Sequence, residues 1–274
     1  MAQMHVMSGV GNKLDMPVIE KIGISDLMLA LRRGAEDFWA KPSHYFLLAL
    51  IYPIVGIVLT VWMNGFYTWS LLYPLIGGFA LLGPVAALPL YEISRRREMG
   101  EDPTWRDAMS IVRSPAMGSI VMVGAILFVL FTLWLTSAQA LYETLFGSTP
   151  PQTFQGLMAQ IFNEPGGMTL AIIGTVVGAG FALVVLCTTV VAFPLLLDRD
   201  VGAYVAVETS FRAVMRNPLP MFVWGLIVGL AVFLGALTLF VGLAVVLPIL
   251  GHATWHLYRR VVAAASFIRQ PLDV

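Results

Sequence analysis

The chain has 274 residues, of which 58% are hydrophobic and only 12% charged, with a mean hydropathy of +0.83. A soluble domain carries about a quarter charged residues, so a water-soluble globule is excluded and a bilayer is the expected solvent. Sixteen Lys and Arg balance sixteen Asp and Glu, which leaves no global basic field to recruit nucleic acid.

Residues 1–23 mix polar positions with Lys13, Asp15, Glu20 and Lys21 and hold no continuous apolar core. They read as a flexible cytoplasmic segment, and no cleavable signal peptide is expected. A membrane domain over 24–264 follows. Its first element is an amphipathic lead-in from Ile24 to Lys41, with Ile24, Leu27, Met28, Leu31, Ala35 and Phe38 at helical spacing. It stops at Lys41-Pro42, because the residue before a proline is pushed out of the helical region. Uncharged runs of spanning length then predict membrane helices at about 45–63 and 71–91, the second containing Pro89.

A second lead-in, Pro103 to Ser114, is expected to open on Asp102 as N-cap with Pro103 in the first turn. It presents Trp105, Ala108, Met109 and Val112 on one face and ends at Ser114-Pro115. The third span is about 116–138. The loop from Gln139 to Gly167 carries only Glu143 and Glu164 as charges. Within it, Phe154, Leu157, Met158, Ile161 and Phe162 form a stripe behind Pro150-Pro151 that predicts a short interfacial helix. The fourth span is about 168–197, with Pro194 near its end. A third lead-in, Val201 to Asn217, presents Tyr204, Val205, Phe211, Val214 and Met215 and stops before Pro218. The apolar stretch from Pro218 to Gly251 is too long for one crossing, so spans at about 219–236 and 240–258 are expected, turning near Gly235 to Phe240. Residues 265–274 form a cytoplasmic tail.

All 16 basic residues fall before the first span, between the second and third, between the fourth and fifth, or after the sixth. Short cytoplasmic loops retain Lys and Arg, so six crossings with both termini cytoplasmic are expected. The prediction is an all-α membrane protein built as three pseudo-repeated hairpins, each preceded by a cytoplasmic amphipathic helix. Such lead-ins either lie in the headgroup layer or pack on the protein's own helix ends. Trp62, Tyr67, Trp69, Tyr73, Trp255 and Tyr258 fall where an interfacial aromatic belt belongs.

Chemistry has few footholds. His252 and His256 stand four apart on one helical face, a spacing that can hold a metal, with His44 at similar depth. A metal or haem site would need further ligands, and no HExxH, cysteine pair or acidic cluster accompanies them; the lone Cys187 lies in an apolar run. The alternative is interfacial histidines that hydrogen bond. Pro89, Pro194 and Pro248 are candidate kinks or hinges, which either surround a crevice or let helices pack. Gly174, Gly178, Gly180, Gly225 and Gly229 offer close-packing surfaces between helices. Glu92 with Arg95 and Arg96, and Asp198-Arg199-Asp200, read as ion pairs at cytoplasmic helix ends or as a charged ring gating a pore. The spans hold essentially no charge, which argues against a transporter coupled through membrane carboxylates. No phosphate loop, nucleophile elbow or usable Ser-His-Asp spacing is visible, so no catalysis and no cofactor are expected.

Phe193-Pro194-Leu195-Leu196-Leu197-Asp198-Arg199-Asp200-Val201-Gly202-Ala203, Arg212 to Pro218, and Leu247 to Arg259 resemble a bacterial integral membrane protein family catalogued only as a domain of unknown function, DUF2189. The resemblance covers most of the chain and implies an inner-membrane location without an assigned activity. Members are sometimes labelled terminal oxidase subunits. A haem-copper core resembling the known ones needs six histidine ligands and this chain has four, so it is not a catalytic subunit of that kind. Three hairpins with prolines also resemble mitochondrial carriers in outline, but Pro89 is followed by Tyr91 and Ser94 where that motif places an acid and a base.

The expectation is therefore a non-catalytic integral membrane protein whose partners are the lipid bilayer and other membrane proteins, not nucleic acid. Two alternatives are a transporter or channel for a small or apolar solute, and a haem- or metal-linked accessory protein of a respiratory complex.

Overall fold

The computed structural model describes residues 16–40, 69–238 and 241–267, with Val58 and Val61. The expected first span, about 45–63, and His44 lie otherwise outside the described residues. The chain is mostly helical. Strand β1 (Pro17–Ile19) precedes α1 (Ile24–Ala40), and a 3-10 turn at Trp69–Leu71 leads into α2 (Leu72–Ala86) and α3 (Leu88–Glu98). A four-residue α4 (Trp105–Ala108) runs into a 3-10 stretch, Met109–Arg113. Then come α5 (Met117–Phe146), α6 (Phe154–Asn163), α7 (Gly167–Thr189), α8 (Ala192–Asp198), α9 (Ala203–Arg216), α10 (Pro218–Leu237), α11 (Leu243–Val261) and β2 (Val262–Phe267).

Proline chemistry sets the breaks. Pro89 falls in the first turn of α3, and the chain interrupts its helix at Ala87. A proline cannot bond to the carbonyl four residues back and crowds it, whereas the first turn of a new helix needs no such bond. The same occurs between α7 and α8, where the helix breaks at Val190-Val191 and Pro194 is the third residue after the restart. Pro248 differs, lying inside the continuous α11.

These breaks separate two environments. α5, α7 and α10 turn large apolar side chains outward: Phe128, Val176 and Leu230 are each at least 60% exposed. Beyond the second break the pattern inverts, and Phe193 and Leu195 expose nothing, as do Leu257 and Tyr258 in the C-terminal half of α11. The core thus lies at the arginine-bearing end, where α1, α3, α8, α9 and α11 meet. Among the described residues, three helical segments are long and apolar enough to cross a membrane: α5, α7 with α8, and α10. α2 has 15 residues, about 22 Å of rise against a hydrocarbon core of about 30 Å. α11 ends in Arg259 and Arg260 and buries most of its C-terminal half.

The antiparallel pair β1–β2, with Pro17 opposite Phe267 and Ile19 opposite Val262, has no counterpart in the sequence reading. Asn217, 3% exposed, anchors the same region. Its Oδ1 accepts from Ile22 N–H at 2.9 Å, and its Nδ2 donates to the carbonyls of Glu20 and Ala213 at 3.0 and 3.2 Å. Replacing Asn217 with Ala orphans these backbone groups, and a loss of about 2 kcal/mol is expected. Thermal unfolding of the detergent-solubilised protein measures it.

The amphipathic helices form, but with rotated faces. α1 buries Leu27, Ala30, Gly34, Asp37 and Phe38 against α11, whereas Ile24 and Met28 are exposed. α9 buries Val205, Ala206, Thr209, Ser210, Ala213 and Val214 and turns Tyr204, Phe211 and Met215 outward. Small residues face the protein because they allow close approach, and the bulky ones are left for another solvent. The second lead-in is no continuous α-helix, and Thr104 replaces Asp102 as its N-cap. The Thr104 N–H and hydroxyl both donate to Asp107, at 2.8 and 2.7 Å.

Candidate functional site

The middle turns of α11 bring Gly251 against Leu90 of α3, and Ala253 against Gly34 of α1. With its backbone gripped from both sides, α11 points His252 and His256 into the seam between α1 and α3. Both are buried. Asp37 of α1 lies between them. His256 Nε2 donates to Asp37 Oδ2 at 2.8 Å, Ser94 Oγ to the same oxygen at 2.5 Å, and Arg97 Nε to Oδ1 at 2.9 Å. Burial pushes the Asp37 carboxyl up, but the hydrogen bonds from His256 and Ser94 outweigh it and hold the group below its usual range.

An ionised Asp37 cannot donate, so the Ser94 proton points at Asp37 and the Ser94 oxygen accepts from His252 Nδ1 at 2.8 Å. The order is histidine, serine, aspartate. In a nucleophilic triad the imidazole stands between hydroxyl and carboxylate and takes the hydroxyl proton; here the hydroxyl is in the middle, and Ser94 is fully buried. The arrangement ties three helices together. Among the described residues no group of three or more His, Cys, Asp or Glu side chains is placed to hold a metal.

The charged helix ends are also knitted. Glu92, 4% exposed, receives Arg95 through Nε and Nη2 at 2.7 and 2.8 Å, and Arg96 through Nε at 2.7 Å. Burial raises its carboxyl, and the two guanidinium hydrogen bonds more than offset that, leaving it lowered. Asp198 accepts the Tyr258 hydroxyl at 2.6 Å and pairs with Arg199 at 3.3 Å and Arg259 at 3.5 Å. Glu98 accepts from Trp255 Nε1 and Arg259 Nε, both at 3.0 Å. Trp255 and Tyr258 are therefore core residues and not members of an aromatic belt.

The expected packing glycines divide. Gly178 lies under the Trp134 ring, where a Cβ would meet it at 2.9 Å, and Gly174 and Gly225 have only ordinary neighbours, at 3.8 and 3.4 Å. Gly180 and Gly229 have nothing within 4 Å. Gly34 and Gly251, which the sequence does not single out, are also tight approaches between helices, as is Gly78 against the Phe131 ring. Asp37 and Ser94 were missed as partners of the histidines. The available signal was a carboxylate in register with Leu27, Ala30 and Gly34 on one face of α1, since an acid on a buried stripe needs donors.

No curated protein and no solved structure matches the chain. A family model does match, over residues 72–198, which run from the start of α2 to the end of α8. The span takes in Glu92, Ser94, Arg95, Arg96 and Arg97 and ends before the two C-terminal stretches that carry much of the resemblance. The family is the one the sequence resembles, described as Predicted integral membrane protein (DUF2189), a domain of unknown function.

Proposed function

We propose that this integral membrane protein is non-catalytic and binds lipid through its arginine-bearing face, with six crossings in three hairpins and both termini on that face, the cytoplasmic one. One observation carries the lipid reading. The outward face of α9 combines exposed Tyr204, Phe211 and Met215 with exposed Arg212 and Arg216, and it runs directly into the outward apolar face of α10 at Leu219 and Phe222. Bulky apolar groups interleaved with guanidiniums fit an anionic headgroup layer, where rings and stems sit at the acyl boundary and charges meet phosphates. An even number of crossings is supported by β1–β2, because strands that pair lie on one side of any barrier between them.

The test is purification in mild detergent with quantification of retained phospholipid. Wild type is expected to keep anionic lipid, and the triple variant Phe211→Ser, Arg212→Gln, Arg216→Gln to keep less than about half as much, since each basic residue near an anionic surface contributes about 1 kcal/mol. Equal retention by both, or a lipid-free wild type, overturns the reading. A stoichiometric protein partner in place of lipid would move it to a complex.

A further inference from the structure

A recess of about 260 Å³ opens between α3, the 3-10 stretch Met109–Arg113, the first residues leading into α5, and Leu197 of α8. Arg95, Arg96, Arg113, Ser110 and Ser114 line it with Glu92. We propose that this recess binds the phosphate group of a ligand, and that the phosphate belongs to a lipid headgroup. The proposal rests on the lipid-binding reading above and gives it a second, defined site.

Three observations converge. The recess is preorganised: Glu92 clamps Arg95 and Arg96, and Arg96 is further held by Asp107 at 3.2 Å and by Ser110 Oγ at 3.1 Å. Those guanidiniums keep their position without a ligand, which lowers the ordering cost of binding one. The recess also holds an uncommitted charge, because Arg113 makes no ion pair among the described residues, and Ser114 Oγ accepts from Ala116 N–H at 3.3 Å with its own proton free to donate. A guanidinium fork with a hydroxyl beside it is the donor set that recognises phosphate oxygens.

The third observation is depth. Ser114 and Pro115 immediately precede α5, the 30-residue apolar helix, so the recess stands where the hydrocarbon begins and lipid phosphates lie. Beside it a second hollow of about 420 Å³ is lined by Arg106, Arg113, Ser110, Met109 and Val112, the last two 56% and 64% exposed. Arg113 is shared by both. A polar recess for a phosphate, adjoining a hollow with apolar walls, fits an amphiphile better than a free ion.

The experiment is titration of the full-length protein in detergent with phosphatidylglycerol, followed by native mass spectrometry, with inorganic phosphate as a separate arm. Arg113 is exposed, so Arg113→Gln leaves the fold intact; it is expected to weaken lipid binding about tenfold, with Arg113→Lys intermediate. Arg32→Gln, also exposed but paired with Glu36, serves as control and leaves affinity unchanged. Inorganic phosphate that binds at this site and displaces lipid at millimolar concentration would overturn the lipid source and leave the phosphate chemistry standing. Wild-type affinity in Arg113→Gln overturns the site while the lipid reading survives. Failure of wild type to bind any lipid overturns both.

Discussion

Gly34→Ala is expected to destabilise the protein by about 3 kcal/mol, although alanine is the better helix former by about 1 kcal/mol. The cause is the seam between α1 and α11. A Cβ at position 34 would meet the amide nitrogen of Ala253 at 2.6 Å, its Cβ at 2.7 Å and the carbonyl oxygen of Ile249 at 2.7 Å. Two of these atoms are backbone, so relief requires the helices to part, and parting them withdraws Asp37 from His256. Gly251→Ala is the internal comparison. Its Cβ would meet chiefly the Leu90 side chain, with the nearest atom, Cδ1, at 2.5 Å; that end can rotate away, and a cost of about 1 kcal/mol is expected. Thermal unfolding of the two variants in detergent, measured side by side, checks the order. Equal midpoints would show that α1 does not bear on α11 as described.

Asp37→Ala is expected to cost about 3–5 kcal/mol, because it leaves the donors of Arg97, His256 and Ser94 without their acceptor in a largely buried seam. Asp37→Asn keeps the shape and one acceptor oxygen, so a smaller loss is expected. The pH dependence follows from the lowered carboxyl of Asp37. A carboxylate held below its unfolded value contributes stability that is fully present above that value, about 3.8, and is lost as pH falls through the folded one. Wild type is therefore expected to show no Asp37-dependent change between neutrality and about pH 4, and a loss below it that Asp37→Asn lacks. Midpoints measured across that range decide the matter.

What the sequence discloses depends on the range of the interaction. Helices α6 and α9 follow from local periodicity and α10 from the length of its apolar run, and the boundary between α9 and α10 follows from Asn217-Pro218, because proline acts within a turn. Membrane character follows from composition alone. The orientation of amphipathic faces is less accessible: ranking side chains by hydrophobicity puts Met28 and Phe211 inside, whereas the structure puts Gly34 and Thr209 there. In a chain with two apolar environments hydrophobicity alone does not separate the faces, and close helix approach selects small residues such as Gly34 and Thr209 beside Leu27 and Phe38. The histidine pair is legible from spacing, but Asp37 and His256 are 219 positions apart, and no local pattern announces such a contact. Strand β1, with three residues, is too short to show alternation, and α2 parts from α3 at Ala87 with Pro84 tolerated one turn earlier.

The docking of α1 on α11 has a consequence for biogenesis. Ribosomes extend a chain at about 5–20 residues per second, so the Asp37 side chain emerges on the order of 10–40 seconds before His256. Throughout that interval α1 waits with its glycine groove vacant, and its acid gains Ser94 and Arg97 as partners well before His256. Closure of the seam therefore cannot precede synthesis of α11, and a chain released before that helix is made lacks the contact.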